Sequence, residues 1–122
     1  MKPDETSLDW IGSAKKDLLA FPGPVIDRMG YALGLAQLGG KHPHAKPWKG
    51  DGSGVFEVVE DHSGDTYRAV YTIRFAEVIY VLHAFQKKST KGIKTSKADI
   101  AMIKARLRLA QDDYRARTKA ND

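Results

Sequence analysis

Apolar residues in the first forty positions recur at helical intervals. Leu8, Ile11, Ala14 or Lys15, and Leu18 follow one another at spacings of three and four, which predicts a helix over about residues 7–21 that opens at a serine suited to capping. It stops at "FPGP". The two prolines then suit the first turn of a second helix over about 24–38, whose Val25, Met29, Ala32, Leu33 and Ala36 form one stripe. Gly39-Gly40 ends it, because glycine readily takes the left-handed helix cap. The opening third reads as a helical hairpin.

The next stretch, "KHPHAKPWKGDGSG", is too rich in Gly, Pro and Lys for regular structure, and it leads into three runs with β character. These are "VFEVVE" (55–60), "YRAVYTIR" (67–74) and "EVIYVLHAFQ" (77–86), joined by short links that make them antiparallel neighbours. A closing helix is expected over about 96–117. Ser96 followed by Asp99 suits a capping box, and Ile100, Ile103, Leu107, Ala110 and Tyr114 repeat at spacings of three and four. The expected fold is α+β: one domain over residues 1–122, with the helical hairpin packed on a small antiparallel sheet of three or four strands and a C-terminal helix. One sheet face would be covered by helices and the other left available.

Alternation along the strands sorts the side chains by face. Arg68, Val70, Thr72 and Arg74 fall on one side of the second strand. On the third, Val78, Tyr80, Leu82 and Ala84 form one set, and Ile79, Val81, His83, Phe85 and Lys87 the other. Strand register is not fixed by a single sequence, so placing the arginines and His83 on a common face is an assumption.

Composition and charge narrow the classes of function. The 122 residues include no cysteine, which excludes disulfides and thiolate chemistry. The start, "MKPDETSLDW", is acidic and polar where a signal peptide is basic and then apolar, and no run approaches the roughly 18 apolar residues of a membrane span. A cytoplasmic protein without membrane association is expected. The net charge of +5 is uneven: residues 1–40 carry four Lys and Arg against five acids, and residues 41–122 carry sixteen against ten. The stretch "HAFQKKSTKGIKTSK", residues 83–97, alone holds five lysines and no acid. The basic part is where a polyanion would bind.

With a shared face, Arg68, Arg74, His83 and Lys87 stand together, Phe85 lies between them, and Lys88 and Lys91 form a rim; Lys49, Lys88, Lys91 and Lys94 are the lysines expected to grip RNA. Guanidinium groups hold phosphate in a fork and an aromatic ring stacks a base, so the set suits single-stranded RNA. It also suits RNA cleavage, which needs a proton acceptor at the 2′-hydroxyl, a proton donor at the 5′-oxygen and cations at the phosphate. Each residue has a plainer reading as well. Arg68 is placed to pair with Glu57 or Glu60 of the neighbouring strand. His83 and Phe85 sit among apolar neighbours as core residues do, and the lysine run suits a solvated loop that deters edge pairing. His42 and His44 in "KHPH" would face alike if extended, but no carboxylate or cysteine stands at ligand spacing, so neither a metal site nor a cofactor is expected. "GDGSG" lacks the lysine and following helix of a phosphate loop.

The pieces "YRAVY", "VLHAFQKKS" and "TSKADIAMIKARL", with "WIGSAKKDLLAFP" and "ALGLAQLGG" before them, resemble the phage-related, HigB-like branch of the RelE/ParE toxin superfamily over roughly residues 10–115. The resemblance implies a RelE-like fold and the toxin of a type II toxin-antitoxin module. It further implies a metal-independent endoribonuclease that cuts mRNA at the ribosome and is held inactive by a helix-turn-helix, HigA-like antitoxin in a higher-order heteromer. By position it places a phosphate-binding arginine at Arg68, the paired lysines at Lys87 and Lys88, and the "LHxFxKK" residues at His83 and Phe85. The chain departs from the family on the first strand, where Glu57-Val58-Val59 stands in place of Glu-Leu-Arg. It also offers no clear counterpart to the catalytic tyrosine of some relatives, since Tyr114 lies deep in the last helix and Tyr71 in a strand. The competing readings are a non-catalytic, ParE-like poison of a protein target, or an inactive phage-derived RNA- or protein-binding module.

Overall fold

The computed structural model describes residues 6–50, 54–88 and 95–120. The elements in chain order are β1 (Ser7–Trp10), α1 (Ala14–Leu19), α2 (Gly23–Gln37), β2 (Ala45–Pro47), β3 (Val55–His62), β4 (Asp65–Thr72), β5 (Val78–Lys88) and α3 (Lys97–Ala120). The sheet has five strands in the order β1-β5-β4-β3-β2. All neighbours are antiparallel except β1, which runs parallel to β5 with Ser7 opposite Val78 and Trp10 opposite Val81.

Two differences from the expected fold have physical causes. The first expected helix is a strand followed by a short helix. Ser7-Leu8-Asp9-Trp10 alternates polar and apolar, so the same residues that fit a helical stripe also fit period two, and β5 supplies the ladder that decides between them. The second difference is β2, which forms where proline, glycine and lysine argued against structure. It is a three-residue edge strand, and an edge is where Pro47 is tolerated.

The elements expected downstream are present with shifted ends. Strands β3 and β4 meet in a two-residue hairpin at Ser63-Gly64, both with positive φ (51° and 86°), the turn whose twist matches its strands. Helix α3 is capped as expected by Ser96, whose Oγ accepts the Asp99 N–H at 3.1 Å.

Both faces of the sheet are packed. Helices α1 and α2 cover one face with Ala14, Leu18, Val25, Met29, Ala32 and Leu33 against Val58, Tyr67, Ala69, Tyr71, Ile79 and Val81. The other face, expected to be open, receives α3 through Ile103, Leu107 and Ala110, which pack with Val70, Val78, Tyr80 and Leu82. A helix with an apolar stripe needs a surface to bury it, and the sheet is the surface within reach. The α3 end is held by a polar cluster. Tyr80 donates its hydroxyl hydrogen to Asp113 Oδ2 at 2.6 Å, and Arg117 donates to Asp113 at 3.0 Å and also to Asp9 of β1.

That cluster predicts a pH window for the docking of α3. Burial, and then the bond to Asp113, push the Tyr80 hydroxyl well above its ordinary value of 10.0, so its stabilisation is complete below that value and is lost as pH rises through the raised one. The bond from Tyr80, with Arg117 beside it, holds the Asp113 carboxyl below its ordinary 3.8, so its stabilisation is present above that value and is lost as pH falls through the lowered one. Urea-unfolding free energies are expected to fall at both extremes. Tyr80→Phe should reduce the alkaline fall, at a cost of about 1 kcal/mol at neutral pH; an unchanged alkaline slope would count against this account.

Candidate functional site: a cationic cleft beside the C-terminal helix

Strand register builds the site. Lys46 on β2 stands opposite Glu57 on β3, Val59 opposite Arg68 on β4, and Arg68 opposite Phe85 on β5. A bulge then intervenes: β4 pairs Val70 with His83 and Tyr71 with Val81, so Leu82 is an extra residue on β5. Simple alternation would carry His83 to the same face as Val81. The bulge instead turns it, with Phe85 and Lys87, to the α3 face that Arg68 also occupies. The common face assumed for Arg68 and His83 therefore exists, and the two alternating sets expected for this strand are broken at Leu82.

Next to the start of α3 this face opens into a cleft of about 590 Å³ lined by Lys46, Pro47, Trp48, Lys49, Glu57, Arg68, Thr95 and Ile100. Its wall is set by the close approach of Gly50 to Trp48, since a Cβ on Gly50 would lie 2.1 Å from the indole. Trp48 is buried and its backbone N–H donates to the Val55 carbonyl at 2.8 Å, which prolongs the β2–β3 ladder past Pro47. At the floor, Arg68 Nη1 donates to Glu57 Oε1 at 2.6 Å, and the two side chains are only 6% and 9% exposed. Of the two carboxylates that the sequence placed near Arg68, Glu57 is the one it meets. Glu60 points to the opposite face.

The other expected site residues are distributed as follows. Lys49 is an exposed lysine of the cleft wall. Arg74 lies past the end of β4, with its Cβ near Gly54, and does not line the cleft, so the two arginines do not stand side by side. His83 is buried. Its Nε2–H donates to Asp99 Oδ1 at 2.8 Å, its Nδ1 faces the Arg106 guanidinium at 3.5 Å, and its ring stacks on Phe85 with centroids 4.8 Å apart. Both ring nitrogens are thus engaged within the fold. Lys87 is half-buried on the same face, opposite Thr66. Lys88 ends β5, its side chain lies outside the described residues, and so do Lys91 and Lys94 altogether.

Sequence reasoning missed Lys46, Trp48 and Arg106. Nothing local marks the first two, because β2 is defined only by its pairing with β3. Arg106 reads as a solvent-facing residue of a charged helix, yet it is 8% exposed and donates to the Leu82 carbonyl and to Ser13 Oγ, each at 3.0 Å. It binds the carbonyl of the bulged residue.

With this geometry in place, comparison with known proteins adds a family. The model described as Phage derived protein Gp49-like (DUF891) matches residues 16–108, which is 93 of the 122 residues and includes the whole cleft described here. The chain belongs to this family. Among solved structures it is similar to the toxin-antitoxin complex RelBE2 from Mycobacterium tuberculosis, at 18% identity over 70% of this chain and 95% of that chain, with a TM-score of 0.45. No curated protein is matched. The Gp49-like match begins at Lys16, so β1, whose Asp9 anchors Arg117, lies outside it.

Proposed function

We propose that this Gp49-like chain is a single-domain toxin of a type II toxin-antitoxin module, of the HigB-like kind, and that it cleaves mRNA in the cleft. The observation that carries the reading is the Arg68–Glu57 pair on the floor of a lysine-walled cleft in a chain of a phage-derived family. Arg68 holds the scissile phosphate and steadies its developing charge. Glu57, the carboxylate in contact with it, takes the 2′-hydroxyl proton, since both His83 nitrogens are engaged elsewhere. Lys46 and Lys49 grip the backbone, and one of them supplies the proton for the leaving 5′-oxygen. Arg74, Lys87, Lys88, Lys91 and Lys94 serve as an extended cationic surface for mRNA and the ribosome, and Phe85 offers its ring to a base. The natural inhibitor is a helix-turn-helix antitoxin that covers the cleft with acidic or apolar groups in the cytoplasm.

A second reading, a poison of a protein target without cleavage, is favoured by Val59 standing beside Arg68 where an arginine is expected, and by the engagement of Arg68 with Glu57. Purified protein added to ribosomes programmed with mRNA separates the two. The expected result is cut message, with cleavage weaker or absent on free RNA. Intact message alongside arrested growth of expressing cells would overturn the endoribonuclease and favour the second reading.

A further inference from the structure

The face of the sheet away from the cleft carries a second cluster. Glu60 of β3 is 3% exposed, on the side packed by α2. Its Oε2 lies 2.8 Å from His44 Nδ1, and its Oε1 is 3.9 Å from Arg28 Nη1 of α2. His42 sits edge-on to His44 with ring centroids 5.0 Å apart, its Nδ1 accepts the His44 backbone N–H at 3.0 Å, and its ring meets the edge of Tyr31 at 5.6 Å. Donor atoms of His42, His44 and Glu60 all lie within 4.8 Å of one another. The carboxylate missing from sequence spacing is supplied by β3, sixteen residues beyond His44.

We infer that His42, His44 and Glu60 form a binding site for a divalent transition ion of the Zn2+ type. Two imidazoles and one carboxylate are the donor set such an ion takes, and a fourth position is left toward solvent, where the His44 side chain is 58% exposed. Bond lengths of about 2.0–2.2 Å in a tetrahedron put ligand atoms about 3.3 Å apart. The His44–Glu60 separation therefore opens by about 0.5 Å as the ion replaces the hydrogen between them, and the donors that lie up to 4.8 Å apart draw together. That motion falls on His42, which belongs to the connection between α2 and β2. Arg28 stays on the far oxygen of Glu60, so one carboxylate oxygen is open to the metal. The bound ion would fasten that connection to the sheet, on the far side of the Ala45–Val58 pair from Lys46 and Glu57 and on the opposite face, so the site does not depend on the proposed RNA cleavage.

The test is a titration of the untagged full chain with Zn2+ in competition with a chromophoric chelator, together with thermal melts with and without the ion. The expected result is one Zn2+ per chain, a raised melting temperature and no comparable effect of Mg2+. His42→Ala and His44→Ala should each weaken Zn2+ by at least about 10–100-fold, the loss seen on removing even an outer partner of a metal ligand. Both positions are largely outside the core, and Glu60→Gln keeps the shape of the buried ligand while removing its charge. His62→Ala should leave the affinity unchanged. Absence of saturable binding, binding that survives both histidine substitutions, or equal binding of Mg2+ would each overturn the inference.

Discussion

Replacing Arg68 by lysine is expected to lower the rate of message cleavage by about 100-fold or more while leaving the melting temperature close to that of the parent. The size follows from removing the forked donor that meets the phosphate, in the range measured when one preorganised donor to a developing charge is lost. Lysine keeps a positive charge beside Glu57, so the buried carboxylate retains a counterion. Alanine would not do so. Glu57 and Arg68 are both buried and 2.6 Å apart, and taking away one partner of such a pair costs about 3–5 kcal/mol. An inactive Arg68→Ala protein would therefore report a broken fold as readily as a lost phosphate contact. Glu57→Gln completes the experiment: it preserves the side-chain shape, removes the proposed proton acceptor, and relieves the phosphate of competition with a carboxylate. It should retain or tighten RNA binding and lose cleavage. Parent-like cleavage by both Arg68→Lys and Glu57→Gln would remove the cleft from the reaction.

Arg106→Met should destabilise the protein by about 3 kcal/mol and lower its melting temperature by about 10 °C. Methionine replaces the apolar stem of the arginine but not its donors. The Leu82 carbonyl at the bulge and the Ser13 hydroxyl before α1 each lose a charged partner at 3.0 Å, so α3 loses one of its polar ties to β5 and its tie to the residue before α1. The His83 ring also loses the group that faces its Nδ1. Urea unfolding measures the stability, and an exchange-broadened His83 ring signal would report the loosened ring. A change in stability below about 0.5 kcal/mol, the range of an ordinary surface substitution, would show that the bulge holds without Arg106.

Both predictions concern residues whose roles differ in how far the chain alone revealed them. Arg68 was singled out from strand alternation, and its contact with Glu57 was one of two pairings that the neighbouring strand offered. His83 was placed on the correct face for a reason the alternation did not contain, since the bulge at Leu82 reverses the phase of β5 after Val81. Arg106 carried no signal, because one buried arginine among the exposed ones of a helix is indistinguishable from them until the helix has a docking surface.

The sequence by itself determined α2, the three central strands, α3 with its serine cap, and the concentration of positive charge after residue 40. Each of these rests on spacing or turn chemistry within about twenty residues, where side-chain periodicity and glycine or proline geometry act without help from the rest of the chain. Tertiary structure alone decided that Ser7–Trp10 is a strand, that Ala45–Pro47 joins the sheet edge, that α3 closes over one face and leaves a cleft, and that Glu60 meets His42 and His44. Those outcomes depend on hydrogen bonds and packing between segments far apart in the chain. A four-residue segment such as Ser7–Trp10 satisfies two periodicities equally until a distant partner offers its backbone.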